Sequence, residues 1–241
     1  MTAAVLRSVA FALVQIVLTP LWACISLLTF PLSAKARYRV ITAWSRMIIR
    51  SAEIICGIRY RVLGSENIPR EPCIIMGKHE SAWETLAFQV IFPPQVWVVK
   101  RELLWIPFFG WGLAMLSPIA IDRRAGPSAL RQMLEQGRDR LRRGFYIVIF
   151  PEGTRVAPGE TGEYQIGGAW LAEKAGAPVL PVAHNAGTYW QKNGFVKRPG
   201  LVTVSIGPLM RAGGEKPAAL MQNIARWIEN ETRRLHEDET R

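Results

Sequence analysis

From Val9 to Leu32 the chain carries no charged residue, and that stretch restricts its architecture more than any other. A helix of about 24 residues rises roughly 36 Å, enough to cross a hydrocarbon core of about 30 Å. It exceeds the usual signal-peptide apolar region of about 7 to 15 residues. Only Arg7 precedes it, so a retained membrane segment is expected although Ala34-Lys35-Ala36 has a small-x-small form. Basic residues after the stretch, Lys35, Arg37, Arg39, Arg46 and Arg50, outnumber the one before it, which assigns the C-terminal side to the cytoplasm. Pro20 leaves two forms open: a kinked span, or a shallow hairpin that enters one leaflet and returns. Residues 1–35 are read as a membrane-anchoring segment.

The 241 residues leave room for one sizeable core beyond that segment and exclude a large multidomain enzyme. Lys and Arg exceed Asp and Glu by 11, which implies anionic partners: nucleic acid, anionic membrane lipid or a phosphorylated substrate. No helix-turn-helix, zinc-finger or RNP motif is present, so nucleic acid is not expected. The cysteines, Cys24, Cys56 and Cys73, form no CxxC pair and no Cys/His cluster, so neither a disulfide framework nor a metal site is expected and a reducing compartment is.

Residues 36–57 have apolar positions at helical spacing, with Arg37, Arg39, Arg46 and Arg50 elsewhere on the helix. Such a basic amphipathic helix can pack on a core or lie on anionic headgroups. From residue 58 to 241 short β-like runs alternate with helix-like stretches. Strands are expected at Ile58–Val62, Cys73–Met76, Val96–Val99, Ile119–Ile121, Tyr146–Phe150, Val179–Val182 and Val202–Ile206. Helices are expected at Ala82–Ile91, Pro127–Arg143, Gly168–Ala175 and Pro217–Leu235, with the polar tail from His236 frayed. This is an α/β domain.

Two features carry chemistry. In Gly77-Lys78-His79-Glu80-Ser81-Ala82-Trp83-Glu84 an apolar run gives way to a helix, the kind of junction at which open α/β sheets bind ligands. A turn there can bring the Glu84 carboxylate to one imidazole nitrogen of His79 and leave the other as a base. Alone, the pair reads more readily as a solvated loop histidine and a first-turn acid favoured by the helix dipole. A zinc-binding HExxH reading fails because Trp83 stands where the second histidine belongs. The second feature is Phe150-Pro151-Glu152-Gly153-Thr154-Arg155, a strand-ending turn. Gly153 permits a tight bend, Thr154 adds a hydroxyl, and Arg155 offers a planar fork suited to phosphate oxygens. Trp83, Trp105 and Trp111 are expected in the core rather than along a ligand-binding tunnel. His184 is expected to be structural, and the arginines between 131 and 143 to form a solvated face.

Together these features resemble the phospholipid acyltransferase family, specifically the bacterial 1-acylglycerol-3-phosphate acyltransferases. The family's His-x4-Asp block is met by His79 to Glu84, with Glu for Asp, and its Phe-Pro-Glu-Gly-Thr-Arg block in full at Phe150 to Arg155. Its second block is resembled by Lys100 to Gly110 with Ile121-Asp122-Arg123 downstream, and its fourth by Ala177 to Val182. The resemblance implies a glycerolphosphate-acyltransferase-like αβ domain with a mixed sheet flanked by helices, at a bacterial cytoplasmic membrane. It implies that His79 deprotonates the acceptor hydroxyl while Glu84 orients the imidazole. Lys100, Arg101 and Arg155 would hold the phosphate of lysophosphatidic acid, and Glu152, Gly153 and Thr154 would shape the pocket. The co-substrate would be an acyl-CoA or acyl carrier protein thioester, with no cofactor. Backbone N–H groups near Gly153 are candidate oxyanion donors. Rival readings are an acyltransferase for another lysolipid such as lyso-ornithine lipid, a non-enzymatic basic membrane-binding protein, and a hydrolase, which lacks a G-x-S-x-G elbow here.

Overall fold

A computed structural model of the chain describes residues 2–122 and 125–238. Arg123 of the Ile-Asp-Arg run and residues 239–241 of the expected polar tail lie outside the described residues.

The described chain is an α/β domain on a seven-stranded sheet. Strands β1 (Ile58–Leu63), β2 (Ile74–Gly77), β3 (Gln95–Lys100), β4 (Ile119–Ile121), β5 (Tyr146–Ile149), β6 (Val179–His184) and β7 (Gly200–Ile206) take the order β1-β7-β6-β2-β5-β3-β4. Every pairing is parallel except β6 with β7, so the sheet is mixed. The central strands are short and apolar because both faces are covered, as parallel strands joined by crossover helices require. Their pleat divides the core. Ile75 and Val148 enter one cluster with Ile48, Trp83 and Phe88, whereas Ile74, Met76 and Ile147 enter another with Met133, Leu171 and Ile224. Helices α3 (Ala43–Ser51) and α4 (Trp83–Ile91) supply the first side. On the second are α2 (Ala34–Ile41), α6 (Pro127–Arg142), α7 (Gly167–Ala175) and, beyond the one-turn α8 (Ala186–Tyr189) that follows β6, α9 (Pro217–Glu237).

The N-terminal helix α1 runs unbroken from Thr2 to Leu28 through Pro20 and is long and apolar enough to cross a membrane. One face is fixed to the domain at both ends. The Lys197 N–H donates to Ser8 Oγ (2.9 Å), and Trp22 Nε1 donates to the Val40 and Ile41 carbonyls (3.0 and 3.1 Å). Between them Phe11 is fully buried, edge-on to Trp190 at 5.2 Å. The opposite stripe, through Leu6, Leu13, Ile16, Val17 and Leu21, is exposed.

The stretch read as one helix over 36–57 is α2, α3 and a π-turn over Ala52–Cys56, ended by Gly57 in the left-handed region (φ 73°). Its apolar face, with Tyr38, Ile41, Ile48, Ile49 and Ala52, is buried in the core. At the other terminus α9 continues through His236, which packs against Glu80, so the fraying expected from that residue does not occur before Asp238.

Candidate active site

The carboxyl ends of β6, β2 and β5 lie side by side at the centre of the sheet, and the two chemical motifs leave from β2 and β5. After Gly77 the chain turns through residues 78–82 before α4 begins. Ser81-Ala82-Trp83-Glu84 is a Ser-x-x-Glu sequence that satisfies helix-start N–H groups reciprocally. Ser81 Oγ accepts from the Trp83 N–H at 3.1 Å, and Glu84 Oε1 reaches back to the Ser81 N–H at 2.9 Å. The same Oε1 stands 2.7 Å from His79 Nδ1. With Glu84 ionised, Nδ1 carries the proton and Nε2 is left as the acceptor. Burial pushes the Glu84 carboxyl up, but its hydrogen bond to His79, the nearby His184 and the Ser81 N–H outweigh this and hold it below the usual carboxylate range.

The His79 ring face and backbone are held as well. Its ring stacks on Phe150, 3.9 Å between centroids and 4° from parallel. Its N–H donates to Glu152 Oε2 at 2.7 Å, and its carbonyl accepts the Val156 N–H at 2.8 Å. The second motif therefore supports the first, Phe150 by stacking on the His79 ring and Glu152 by holding the His79 backbone.

Behind the histidine lies a charge cluster that the sequence did not disclose. The fully buried Lys78 ammonium sits 2.8 Å from Glu152 Oε1, 2.8 Å from Glu229 Oε1 and 2.9 Å from the Glu160 carbonyl. Burial acts to lower the Lys78 pKa, yet the two carboxylates outweigh it and raise it. Burial also lifts Glu152 above its ordinary value despite the ammonium. Glu229 takes further bonds from Tyr164 and Thr161. One residue past His79, buried Glu80 meets His236 Nε2 at 3.3 Å and the Gly187 N–H at 3.3 Å. Helix α9 thus grips the chain on both sides of His79. Lys78 beside an apolar strand end was a local signal. Glu229 and His236 had none, being so far along the chain. His184 is fully buried and its ring is used twice, accepting from the Ala186 N–H at 3.2 Å and donating to the Lys78 carbonyl at 2.9 Å.

His79 opens onto a cavity of about 560 Å³. Its walls come from α1 (Thr19, Trp22), α4 (Leu86, Gln89), β3 (Trp97) and the segment after β3 (Phe108). Of the other residues singled out in the sequence, Lys100, Gly153 and Arg155 line it as well. The Arg155 Nε is buried without a hydrogen-bond partner, a donor ready for an anion. Glu84 lies behind His79. Glu152 is buried in the Lys78 pair and Thr154 is exposed, and neither lines the cavity. Arg101 is exposed and reaches Gln132 at 3.4 Å. The Gly153 N–H closes its own turn on the Phe150 carbonyl at 3.0 Å, so as an oxyanion donor it is already engaged. Trp83 is fully buried, but Trp105 and Trp111 are 79% and 41% exposed, contrary to the core placement expected of all three. Among the described residues no three His, Cys, Asp or Glu side chains converge as a metal site would need.

A buried carboxylate that orients a base, with a free guanidinium donor beside it and an apolar cavity in front, is suited to proton removal from a substrate with an anionic group and a long apolar tail. That is the equipment of a transferase acting on lipid. Residues 59–185 match the Acyltransferase family model, and the chain belongs to that family. Over 232 residues, 94% of this chain and 90% of the relative, it is 47% identical to the 1-acyl-sn-glycerol-3-phosphate acyltransferase of Pseudomonas aeruginosa. It is 36% identical to the protein of the same name from Borreliella burgdorferi over 68% of this chain and 67% of that one. The crystal structure of the 1-acyl-sn-glycerophosphate (LPA) acyltransferase PlsC from Thermotoga maritima matches with a TM-score of 0.79 over 96% of this chain and 95% of that chain, at 22% identity. The fold is the same.

Proposed function

We propose that this acyltransferase moves a fatty acyl group from a thioester, acyl-CoA or acyl carrier protein, to the sn-2 hydroxyl of 1-acyl-sn-glycerol 3-phosphate, giving phosphatidic acid. The observation that carries the reading is the His79–Glu84 dyad, its Nε2 free, in one cavity with the unpaired Arg155 guanidinium nitrogen. The names of the Pseudomonas and Borreliella relatives point to the same acceptor.

In this mechanism Nε2 accepts the hydroxyl proton as the oxygen attacks the thioester carbonyl carbon. The C–O bond forms, the C–S bond breaks, and the imidazolium returns its proton to the departing thiolate. Ionised Glu84 stabilises the imidazolium between these steps and fixes the tautomer that makes Nε2 basic. Neither an acyl-enzyme nor a cofactor is needed. Arg155 binds the acceptor phosphate, with Lys100 at the cavity wall adding charge. Glu152 serves by holding Lys78 and the His79 backbone, Gly153 by shaping the turn, and Thr154 and Arg101 act at the rim.

Helix α1 is the anchor, its exposed apolar stripe in lipid and its other face on the domain. The excess of basic residues after it, Lys35, Arg37 and Arg39 among them, supports a catalytic domain on the cytoplasmic side of a bacterial inner membrane. The test is transfer of a labelled acyl group to lysophosphatidic acid in reconstituted membranes by wild type and His79→Ala. Transfer lost in the mutant and present in wild type is expected, and unchanged transfer in the mutant would sink the mechanism. A panel of lysolipids, lyso-ornithine lipid included, decides the acceptor.

A further inference from the structure

From Leu103 to Ile121 the chain carries no charge, the longest such run after the N-terminal one. Its later part, with Leu113, Leu116 and Ile119, is buried, and in a domain surrounded by water the earlier part would be buried too. Instead a 3-10 turn at Arg101–Trp105 and helix α5 (Phe109–Met115) hold a knot of apolar side chains outward. The backbone is folded tightly to do this. A Cβ on Gly110 would lie 2.4 Å from the Leu104 carbonyl oxygen, and Phe108, which is not glycine, sits at φ 62°. Strain of this kind persists only where the surroundings or a function demand it. The product is an exposed group of Trp105, Ile106, Phe108, Phe109 and Trp111, more contiguous apolar surface than scattered residues make.

The position of the group decides its occupant. Helix α5 packs on α1 with Gly112 beside Ser26, and Leu28 at the end of α1 and Phe30 just after it are also exposed. The patch therefore continues the apolar stripe of the anchor. Exposed Lys100, Arg101 and Glu102 immediately precede it and carry a net positive charge, which suits anionic headgroups. Trp is the residue type that concentrates at the boundary between headgroups and hydrocarbon. Phe108 and Phe109 belong to the patch and to the cavity wall alike, so the patch is also a lip of the cavity.

We propose that residues 103–111 are a second membrane-contact element, inserted into the headgroup boundary of an anionic bilayer beside α1, so that the cavity opens at the depth of the lipid. The inference rests on the reading of α1 as the anchor. It adds that the anchor alone does not set the depth of the active site. An apolar tail then passes sideways from the leaflet into the cavity without crossing water.

The test uses full-length protein in phosphatidylethanolamine/phosphatidylglycerol vesicles made with or without acyl chains brominated near the headgroup. The emission lost in Trp105→Phe relative to wild type isolates Trp105, and bromine should quench that difference. Cys24, exposed on α1, reports the anchor independently when labelled with an environment-sensitive dye. Insertion of the Cys24 dye with an unquenched Trp105 signal would overturn the inference and leave the anchor intact. A dye that stays in water would overturn the anchor reading and the inference with it. In activity, Trp105→Asp and Ile106→Asp, neither in the cavity wall, should lower transfer on vesicles by roughly tenfold, the change that about 1.4 kcal/mol of lost contact gives. Transfer to a short-chain lysolipid dissolved as monomer should be unchanged. Equal loss on both substrates would also overturn it.

Discussion

Replacing Lys78 with Met tests how the site is held. The ammonium is fully buried and lies 2.8 Å from each of two carboxylates. Met approximates its length and leaves Glu152 and Glu229 facing each other without a cation. Removing one partner of a buried ion pair costs about 3–5 kcal/mol. At this chain length about 2–4 °C of Tm goes with each kcal/mol, so a fall of roughly 6–20 °C is expected. Glu229→Gln keeps the Lys78–Glu152 pair and should cost only about 1–3 kcal/mol, the scale of one charged hydrogen bond. The pH dependence gives a sharper mark. Glu152 is already raised by burial, and in Lys78→Met it loses its cation and keeps a like charge, so it rises further. A carboxyl whose folded pKa lies above the unfolded one leaves stability intact below the unfolded value of about 4.3 and drains it as pH climbs through the folded value. The Tm deficit of Lys78→Met relative to wild type should therefore be smallest near pH 4.5 and grow toward pH 8, measured by thermal unfolding in detergent. A deficit that does not change with pH, or a Glu229→Gln as damaging as Lys78→Met, would refute the reasoning.

Glu84→Asp should keep more transfer activity than Glu84→Ala, because a carboxylate remains on the His79 side; equal loss in both would count against the orienting role. With its pKa lowered, Glu84 contributes stability above the ordinary carboxyl range of about 4.3, lost as pH falls through the lower folded value. Glu84→Gln should accordingly flatten the acid limb of the Tm-versus-pH curve, and an unaltered limb would contradict this. Arg155→Ala should raise KM for lysophosphatidic acid by about 10- to 100-fold with a smaller change in kcat, the effect of one lost charged hydrogen bond, and Arg155→Lys should recover part of it. A kcat loss without a KM change would instead assign Arg155 to the transition state.

The parts of the structure legible in the sequence were those written in short spans. Apolar runs of four to seven residues became β2, β5 and β6 because parallel central strands need apolar side chains on both faces. The His79–Glu84 pair was legible for the same reason, both ends falling within one turn. The same residues carry a further local signal. Ser81-Ala82-Trp83-Glu84 has the spacing of a reciprocal helix cap, and it supplies a reason for Glu where the resembled family has Asp. One oxygen of Glu84 must reach the Ser81 N–H and His79 Nδ1 together, and the extra methylene lets a residue within α4 do so.

Contacts closed by tertiary packing left no local mark. The pairing of Lys78 with Glu229 spans 151 residues, and no periodicity in α9 distinguishes Glu229 from a solvated acid. The matched family region ends at residue 185, yet α9 supplies side chains to Lys78 and Glu80 on either side of His79. Composition misled at Trp105 and Trp111 in a related way. An aromatic residue in an uncharged run is assigned to the core on the assumption that water surrounds the domain. Beside a helix read as a membrane anchor, as α1 is here, that assumption need not hold, because the same side chains can meet a second apolar phase. The sequence pattern is then identical for a residue that packs inward and one that faces lipid, and only the backbone of residues 103–111, closed on Gly110 and strained at Phe108, separates the two.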